Sequence, residues 1–277
     1  MEMPAERWLE INGLSFRYLD WGREGLPFLV LLHGIGDSAH VWDLIAREAR
    51  RHFRVVALDQ RGHGRSGWVR PAAYRLDDYV GDLEAVVERL APPNLILMGH
   101  SMGALHATAF AARHPGRVAA LVHVDIEPCP PPWNKKYLTG LYRDLPESYE
   151  SVDAFVSRRM ENSAHADRAR LLALSPHNLR EENGRYYALS DREVYAHFDP
   201  DYDLRPQLPG ISCPVLVVRG EDSLVLPREP AEEMRRSVPR GALAEIPRAA
   251  HPVHTDNPEA FREAVFRFLA DQGLMAR

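Results

Sequence analysis

Short, uninterrupted apolar runs alternate with amphipathic helical segments along most of this chain. Residues 28–32 read Phe-Leu-Val-Leu-Leu, and a His-Gly pair ends the run. Such a run is typical of a strand buried on both faces, as in a parallel sheet. Residues 76–90 instead carry apolar side chains three and four positions apart, which predicts one buried stripe along a helix. We therefore expect an α/β fold, in which crossover helices join parallel strands.

Eight segments carry a strand pattern and set the expected size of the sheet. A hairpin is expected first, because Asn12-Gly13 separates two of the segments and favours an antiparallel turn. At the other end, Asn257 and Pro258 predict the start of a final helix. The predicted strands are residues 8–11, 14–20, 28–32, 53–58, 95–98, 119–124, 215–218 and 242–246.

The alternation stops between residues 127 and 209. Four prolines open this stretch, polar helical patterns follow, and the strand pattern resumes only near residue 215. The stretch has too few apolar residues for a separate core. We therefore expect an α/β core of residues 1–126 and 210–277, with a helical lid of residues 127–209 inserted between strands 6 and 7 of the sheet.

Composition narrows the classes of partner. The net charge of −5 disfavours nucleic acid or an anionic membrane as the main partner. No apolar run is long enough to cross a bilayer, and no signal peptide pattern opens the chain, so a cytoplasmic location is expected. The two cysteines, Cys129 and Cys213, are too few for a zinc cluster and are expected to stay reduced.

The strongest catalytic signal is the Gly-His-Ser-Met-Gly motif of residues 99–103. The motif lies between a predicted strand and a helical pattern over residues 104–114. In that context G-x-S-x-G forms a sharp turn that exposes its serine, and the flanking positions must be small. The helix N-terminus also favours a developing negative charge. Ser101 is thus a predicted nucleophile, and the alternative is a serine that only caps the helix.

Acyl transfer needs two donors directed at the oxyanion, and the sequence offers two backbone candidates. The N–H of Met102 lies at the predicted helix start, directly after Ser101. The N–H of Ile35 lies in the His-Gly-Ile-Gly segment of residues 33–36, which ends a predicted strand. The alternative for this segment is an ordinary glycine turn at a strand end.

His251 is the candidate general base. It follows the last predicted strand and precedes the final helix, in a loop that can reach the carboxyl edge of the sheet. His254, three residues later, is a rival on the same grounds. His63 and His100 lie beside motifs and are expected to be structural.

These motifs together resemble the α/β-hydrolases, of the lidded, esterase-like kind. The resemblance runs from Trp8 to Leu269 and rests on residues 33–36, residues 59–66, the motif around Ser101, and His251 ahead of an Asp-Asn-Pro sequence. It implies a mostly parallel eight-stranded sheet with helices on both faces.

The resemblance also assigns roles. It implies His251 rather than His254 as the base, and a lid in the position of residues 127–209. The Asp-Gln-Arg-Gly-His-Gly-Arg-Ser segment of residues 59–66 resembles the family's loop after the fourth strand. We interpret this loop as structural, with Arg61 held by local contacts.

The catalytic acid departs from the family pattern. The family usually places an aspartate three residues after the glycine that ends the penultimate strand. Here that glycine is Gly220, Ser223 occupies the expected position, and Asp222 comes one residue early. Some members take the acid from the strand after the nucleophile helix, where this chain has Asp125. We favour Asp125 and keep Asp222 as the alternative.

The resemblance implies a serine hydrolase that acts on a small ester or related acyl substrate through a Ser-His-Asp triad and an acyl-enzyme. No cofactor and no metal are expected, because no cluster of His, Cys and carboxylate residues shows ligand spacing. The same triad also serves hydrolysis of carbon–carbon bonds, amides or thioesters, and perhydrolysis. A ligand sensor without turnover and a cofactor-free lyase or oxygenase are further alternatives, because a fold does not determine a function. The sequence predicts neither the natural substrate nor the oligomeric state.

The lid is expected to select the substrate. Arginines facing Ser101 would indicate a substrate carboxylate, and the alternative is a solvated helix surface. The basic lid residues considered are Lys135, Lys136, Arg143, Arg158, Arg159, Arg168 and Arg170. Apolar lid residues are expected either to line an acyl pocket or to pack the lid on the core. These are Trp133, Tyr137, Leu138, Phe155 and Met160.

Overall fold

Eight strands form one sheet in the computed structural model, which describes residues 3–22, 24–92, 94–143, 145–161, 163–197 and 202–275. The strands of the described chain are β1 (Ala5–Ile11), β2 (Leu14–Asp20), β3 (Phe28–Leu32), β4 (Arg54–Leu58), β5 (Leu95–His100), β6 (Val118–Val124), β7 (Leu179–Glu182), β8 (Arg185–Ala188), β9 (Val215–Gly220) and β10 (Gly241–Ile246). The sheet order is β1-β2-β4-β3-β5-β6-β9-β10, and β7 and β8 form a separate hairpin.

Helices fill most of the connections between these strands. They are α1 (Asp43–Ala49), α2 (Leu76–Leu90), α3 (Met102–Arg113), α4 (Pro132–Arg143), α5 (Val152–Met160), α6 (Arg168–Asn178), α7 (Arg192–Ala196), α8 (Arg228–Ser237), α9 (Val253–Asp256) and α10 (Pro258–Asp271). Two 3₁₀ turns cover Ala39–Trp42 and Arg205–Gly210.

The sheet is mostly parallel, as predicted. Only β1 and β2 depart from this: β2 pairs antiparallel with both β1 and β4, and the other neighbouring strands pair parallel. The turn between β1 and β2 has positive φ at Asn12 (52°) and Gly13 (77°), which these two residue types tolerate. Because the remaining strands are parallel, their carboxyl ends lie along one edge of the sheet.

Helices cover both faces of the sheet, which explains why its strands are apolar without alternation. Along β3, Phe28, Val30 and Leu32 pack into the core layer beneath α2, α3 and α8. Leu29 and Leu31 point into the opposite layer, beneath α1 and α10. Every residue of β3 is therefore buried, and the predicted arrangement of the fold is confirmed.

The segment of residues 127–209, called the lid segment below, contains α4 to α7 and also the β7–β8 hairpin. The sequence pattern indicated only helices here. The hairpin strands are four residues each and largely polar, so they lack the apolar run that marks the sheet strands. Their turn, Asn183-Gly184, has φ values of 52° and 73° and is the local signal that was available.

Side-chain contacts join the lid segment to the core. Asp191, at the start of α7, accepts hydrogen bonds from the Tyr74 hydroxyl (2.5 Å) and from Arg70 Nη2 (3.0 Å). On the other side, Ser163 Oγ donates to Asp256 Oδ2 at 2.6 Å. These contacts hold the segment against the carboxyl edge of the sheet on both sides.

The structure also bears on three expectations drawn from composition, which concern membrane crossing, the state of the cysteines and metal binding. In the part of the chain that the structure describes, none of the helices combines the length and apolar character that crossing a membrane requires. Cys129 is partly exposed and Cys213 is buried, and both are free thiols. The same residues contain no group of three or more His, Cys, Asp or Glu side chains arranged to hold a metal ion.

The loop after β4 is held by buried ion pairs. Arg61 donates to both carboxylate oxygens of Asp82 on α2, at 2.6 Å for the Nη2–Oδ1 contact, and to the carbonyl oxygen of Ala73 at 2.8 Å. Asp59 is fully buried and accepts from Arg17 Nη1 at 2.9 Å. A buried charge that loses its partner is strongly destabilising, so this loop depends on its pairs.

We expect Asp82→Ala to lower the free energy of unfolding by about 3–5 kcal/mol, because it removes the hydrogen-bonded carboxylate of the buried Arg61 guanidinium and leaves only the Asp78 carboxylate, 4.0 Å away. The matched control is Asp77→Ala on the same helix, where the carboxylate pairs with Arg113 at the surface. That change should cost less than about 1 kcal/mol. Urea denaturation of both variants measures the difference, and equal losses would contradict the argument.

The turn between β5 and α3 depends on two glycines. A Cβ at Gly99 would overlap the carbonyl oxygen of Gly103, and a Cβ at Gly103 would overlap the carbonyl oxygens of Leu32 and His33 on the neighbouring strand. Since these obstacles are backbone atoms, a side chain cannot move aside to relieve them. Gly99 is thus required by the tightness of the turn itself, and Gly103 by the packing of the turn against the end of β3.

Gly103→Ala should therefore lower stability by about 1–3 kcal/mol through overpacking. Gly81→Ala on α2 is the matched control, since a Cβ there meets nothing within 4 Å. We expect that change to raise stability by about 0.5–1 kcal/mol, because alanine is the better helix former. Thermal and urea unfolding check both signs. A neutral Gly103→Ala would show that the turn relaxes more easily than the contacts indicate.

Candidate active site

Three predicted site residues meet at the carboxyl edge of the sheet. Ser101 directly follows β5, Asp125 directly follows β6, and His251 lies between β10 and α9. The Nε2 atom of His251 lies 3.1 Å from the Oγ atom of Ser101. The Nδ1 atom of the same ring lies 2.9 Å from the Oδ2 atom of Asp125. A continuous hydrogen-bonded chain thus connects the hydroxyl, the imidazole and the carboxylate.

Ser101 occupies an unusual backbone conformation, with φ 52° and ψ −121°. Its own N–H donates to the carbonyl oxygen of Val124 on β6 at 2.8 Å. A Cβ at Gly34 would lie 3.3 Å from the Ser101 Cβ and 2.7 Å from His100 Nδ1, so the adjoining loop must also be small here. The turn is held from both sides, which is how such a strained conformation persists.

Asp125 is fully buried and also has a positive φ, 56°. Its Oδ1 atom accepts the N–H of Gly220 at 2.9 Å, and its Oδ2 atom accepts the Ser223 hydroxyl at 2.5 Å as well as the His251 ring. A buried carboxylate needs such donors to offset the loss of water. Ser223 occupies the position where the family pattern places an aspartate. Its hydroxyl donates to the Asp125 carboxylate and so supports it.

Asp222 lies elsewhere. Its Oδ2 atom is 2.7 Å from Nε2 of His165 in the lid segment, and its side chain is more than half exposed. Within the described residues it makes no hydrogen bond to His251. Of the two aspartates considered for the acid, the structure brings only Asp125 to the imidazole.

The two predicted oxyanion donors flank the serine. Ile35 lies in the loop after β3, and Met102 is the first residue of α3. No acceptor within the described chain is bonded to either N–H. For Met102 this is inherent in its position, since the first N–H groups of a helix have no acceptor inside the helix.

The loop that carries Ile35 is anchored by His33. The Nε2 atom of His33 accepts the backbone N–H of Gln60 at 3.0 Å, so Nδ1 is the protonated nitrogen and donates to the carbonyl oxygen of Gly34 at 2.7 Å. Burial lowers the pKa of His33, which keeps the ring neutral as this pairing requires. This fully buried contact fixes the backbone on the N-terminal side of Ile35.

The other histidines near the site differ in their contacts. Nε2 of His100 lies 2.9 Å from the carbonyl oxygen of His251, and burial lowers the pKa of His100 well below its usual value. His63 bonds to the carbonyl oxygen of Arg61 at 2.9 Å, and burial lowers its pKa to about 3. The rival candidate base, His254, is stacked on Trp42 with ring centroids 4.5 Å apart.

A cavity of about 410 Å³ opens over Ser101 and His251, between the sheet edge and the lid segment. Five of the lid side chains considered from the sequence line it: Tyr137, Phe155, Arg158, Arg159 and Arg170. Leu138 is buried in the core, Met160 packs within the lid segment, and Trp133 is exposed. Lys135, Lys136 and Arg168 do not line the cavity, and the side chain of Arg143 lies outside the described residues.

Sequence reasoning missed an ion pair in the wall of this cavity. Arg159 Nη2, from α5, lies 2.5 Å from Oδ1 of Asp37, which follows the loop of Ile35. The two residues are far apart in the chain, and neither belongs to a recognisable motif. The hydroxyl of Ser223 and the stacking surface of Trp42 were missed for the same reason, since only the folded chain brings them to the site.

Comparison with known proteins agrees with this architecture. The model of the alpha/beta hydrolase fold family matches residues 27–258. A 2-(acetamidomethylene)succinate hydrolase of Mesorhizobium japonicum is 29% identical over 247 residues, which is 88% of each chain. A pimeloyl-[acyl-carrier protein] methyl ester esterase of Klebsiella pneumoniae is 30% identical over 266 residues, covering 90% of this chain and 96% of the relative.

A solved structure gives the same result for the fold. The crystal structure of an E-2-(acetamidomethylene)succinate hydrolase matches with a TM-score of 0.89 at 24% identity, covering 96% of this chain and 99% of that chain. The family match spans most of the sheet and the elements that carry Ser101, Asp125 and His251. The chain therefore belongs to the alpha/beta hydrolase fold family, and it is a hydrolase.

Proposed function

We propose that the protein is a serine hydrolase that cleaves a small ester or related acyl substrate through a covalent acyl-enzyme. Ser101 is the nucleophile, His251 is the general base, and Asp125 is the carboxylate that completes the triad. The observation that carries the proposal is the hydrogen-bonded chain from Ser101 Oγ through the His251 ring to Asp125, at 3.1 and 2.9 Å. This is the arrangement that activates a serine for acyl transfer.

The proposed reaction has two halves. Ser101 Oγ attacks the substrate carbonyl while His251 Nε2 takes its proton, and the N–H groups of Ile35 and Met102 hold the oxyanion. The tetrahedral intermediate collapses when His251 returns the proton to the leaving group. A water then attacks the acyl-serine, with His251 again as base, which releases the acid and restores Ser101. Each oxyanion donor is worth about 3 kcal/mol of transition-state stabilisation.

Asp125 acts through His251 in this scheme. Its carboxylate accepts the Nδ1 proton, which keeps Nε2 free to receive the serine proton, and it stabilises the imidazolium that forms. Ser223 and the N–H of Gly220 hold the carboxylate in place, at 2.5 and 2.9 Å. The His251 side chain is 18% exposed, so its Nε2 edge remains accessible from the cavity.

In this proposal residues 1–126 and 210–277 form the core. The lid segment lies over that core and selects the substrate. A cavity of about 410 Å³ suits a compact acyl compound. Esters are the first candidates, and the relative from Klebsiella pneumoniae is named for a methyl ester. Amides are the second, since the relative from Mesorhizobium japonicum is named for hydrolysis of an acetamido compound.

The first test is labelling with a fluorophosphonate probe, followed by a panel of 4-nitrophenyl esters. We expect the wild type to be labelled on Ser101 and to turn over short-chain esters, and Ser101→Ala to do neither, because only an activated hydroxyl reacts with the probe. Peptide mass mapping identifies the labelled residue. Labelling without turnover would favour a sensor, and a folded protein that is never labelled would favour a lyase and overturn the proposal.

The second test separates the two aspartates. Asp125→Asn should lower kcat by about 1,000- to 10,000-fold, because the amide no longer holds the required His251 tautomer. Asp222→Asn, the matched control, removes only the charge from a surface contact with His165 and should leave kcat within about twofold. Circular dichroism confirms that both variants fold. Full turnover in Asp125→Asn together with a collapse in Asp222→Asn would reverse the assignment.

A further inference from the structure

Of the lid arginines that line the cavity, Arg159 is the one whose guanidinium contacts the loop of the proposed oxyanion donor Ile35. The Arg159 side chain is only 26% exposed and lines the cavity that contains Ser101 and His251. Arg168, on the neighbouring helix, instead pairs with Asp153 at the surface and does not line the cavity. Arg159 is therefore a cation positioned where a substrate is expected to bind.

Contacts with the core hold the Arg159 guanidinium in a fixed orientation. Nη2 lies 2.5 Å from Oδ1 of Asp37, Nη1 lies 3.4 Å from the carbonyl oxygen of Gly36, and the group lies 5.7 Å from the centre of the Phe155 ring. A guanidinium has five N–H donors, and these contacts use only two of them. A fixed arginine with donors to spare binds an anionic group with little further loss of side-chain entropy.

A second, independent feature points to a ligand in the same place. His254 lines the cavity, is only 4% exposed, and neither of its ring nitrogens has a hydrogen-bond partner among the described residues. Burial lowers its pKa to about 4, and the positive charge of Arg159 contributes to that shift. The ring is therefore neutral, lines the same cavity as Arg159, and is left with one N–H donor that nothing in the described chain satisfies.

The two side chains lie beside the proposed catalytic residues. His254 is three residues after His251, and the ring of His100 lies 4.6 Å from the rings of both. Arg159 reaches the carbonyl oxygen of Gly36, next to the proposed oxyanion donor Ile35. An anionic group bound by Arg159 and His254 would thus share one cavity with Ser101.

We infer that Arg159 and His254 form a binding subsite for a carboxylate, and that the substrate is a small acyl compound with a free carboxylate in addition to the scissile carbonyl. Arg159 supplies charge-assisted N–H donors and His254 supplies a neutral one. The inference rests on the proposed serine hydrolase function and names the substrate class of that same site.

The test compares matched esters that differ only in charge. One member of each pair is the mono-4-nitrophenyl ester of a dicarboxylic acid, and the other has a carboxamide in place of the free carboxylate. Pairs derived from succinate, glutarate and adipate cover a range of distances from Ser101. We expect the wild-type kcat/KM, after subtraction of spontaneous hydrolysis, to favour the carboxylate about 10- to 100-fold in at least one pair.

Variants then locate the preference. Arg159→Gln should reduce the ratio of kcat/KM between carboxylate and carboxamide to within about threefold of one, because the charge-assisted donors are lost. His254→Phe keeps a ring against Trp42 without nitrogens and should reduce the ratio less. Arg168→Gln, which removes a lid arginine outside the cavity, should leave the wild-type ratio and both rates unchanged.

The outcomes separate this inference from the function on which it rests. Turnover of both members of every pair without preference for the carboxylate, in a protein labelled at Ser101, overturns the subsite and leaves the serine hydrolase intact. A preference that survives in Arg159→Gln also overturns it. Absence of labelling and of all turnover overturns both. If Arg159→Gln does not fold, the wild-type ratio of kcat/KM between carboxylate and carboxamide still decides whether the substrate carries a free carboxylate.

Discussion

The arrangement of the candidate site depends on the hydrogen bonds that the buried carboxylate of Asp125 accepts. It is fully buried at the end of β6, and its two oxygens accept the N–H of Gly220 from β9, the hydroxyl of Ser223 and the ring of His251. Two other parts of the chain, the end of β9 with its following loop and the loop of His251, therefore converge on one charge. Since a buried charge is stable only when its donors are in place, the packing of the sheet edge and the geometry of the site are coupled.

Much of this architecture follows from local sequence. The run of residues 28–32 is apolar at every position because β3 is covered on both faces, and its bounds in the structure are those predicted. The motif of residues 99–103 specifies its turn because Gly99 and Gly103 leave room for neighbouring backbone. Such features are encoded within a few consecutive residues, and they are the ones that sequence reasoning finds.

Other parts of the site depend on tertiary contacts that no short pattern encodes. Asp37 and Arg159 meet only because α5 folds back over the loop after β3. His254 lies in the same loop as His251, but its ring stacks on Trp42 and makes no hydrogen bond among the described residues. The β7–β8 hairpin was missed because its strands are short and polar, so hydrophobic periodicity carries almost no signal there.

The position of Asp125 in the chain also determines which strand ends supply the side chains of the candidate site. Ser101 and Asp125 are delivered by a single β-α-β unit, in which α3 joins two adjacent strands. The loop after β9 therefore does not supply the carboxylate that contacts the His251 ring. Asp222 in that loop faces His165 of the lid segment instead. This one loop thus contacts the candidate site through Ser223 and the lid segment through Asp222, so it connects the two.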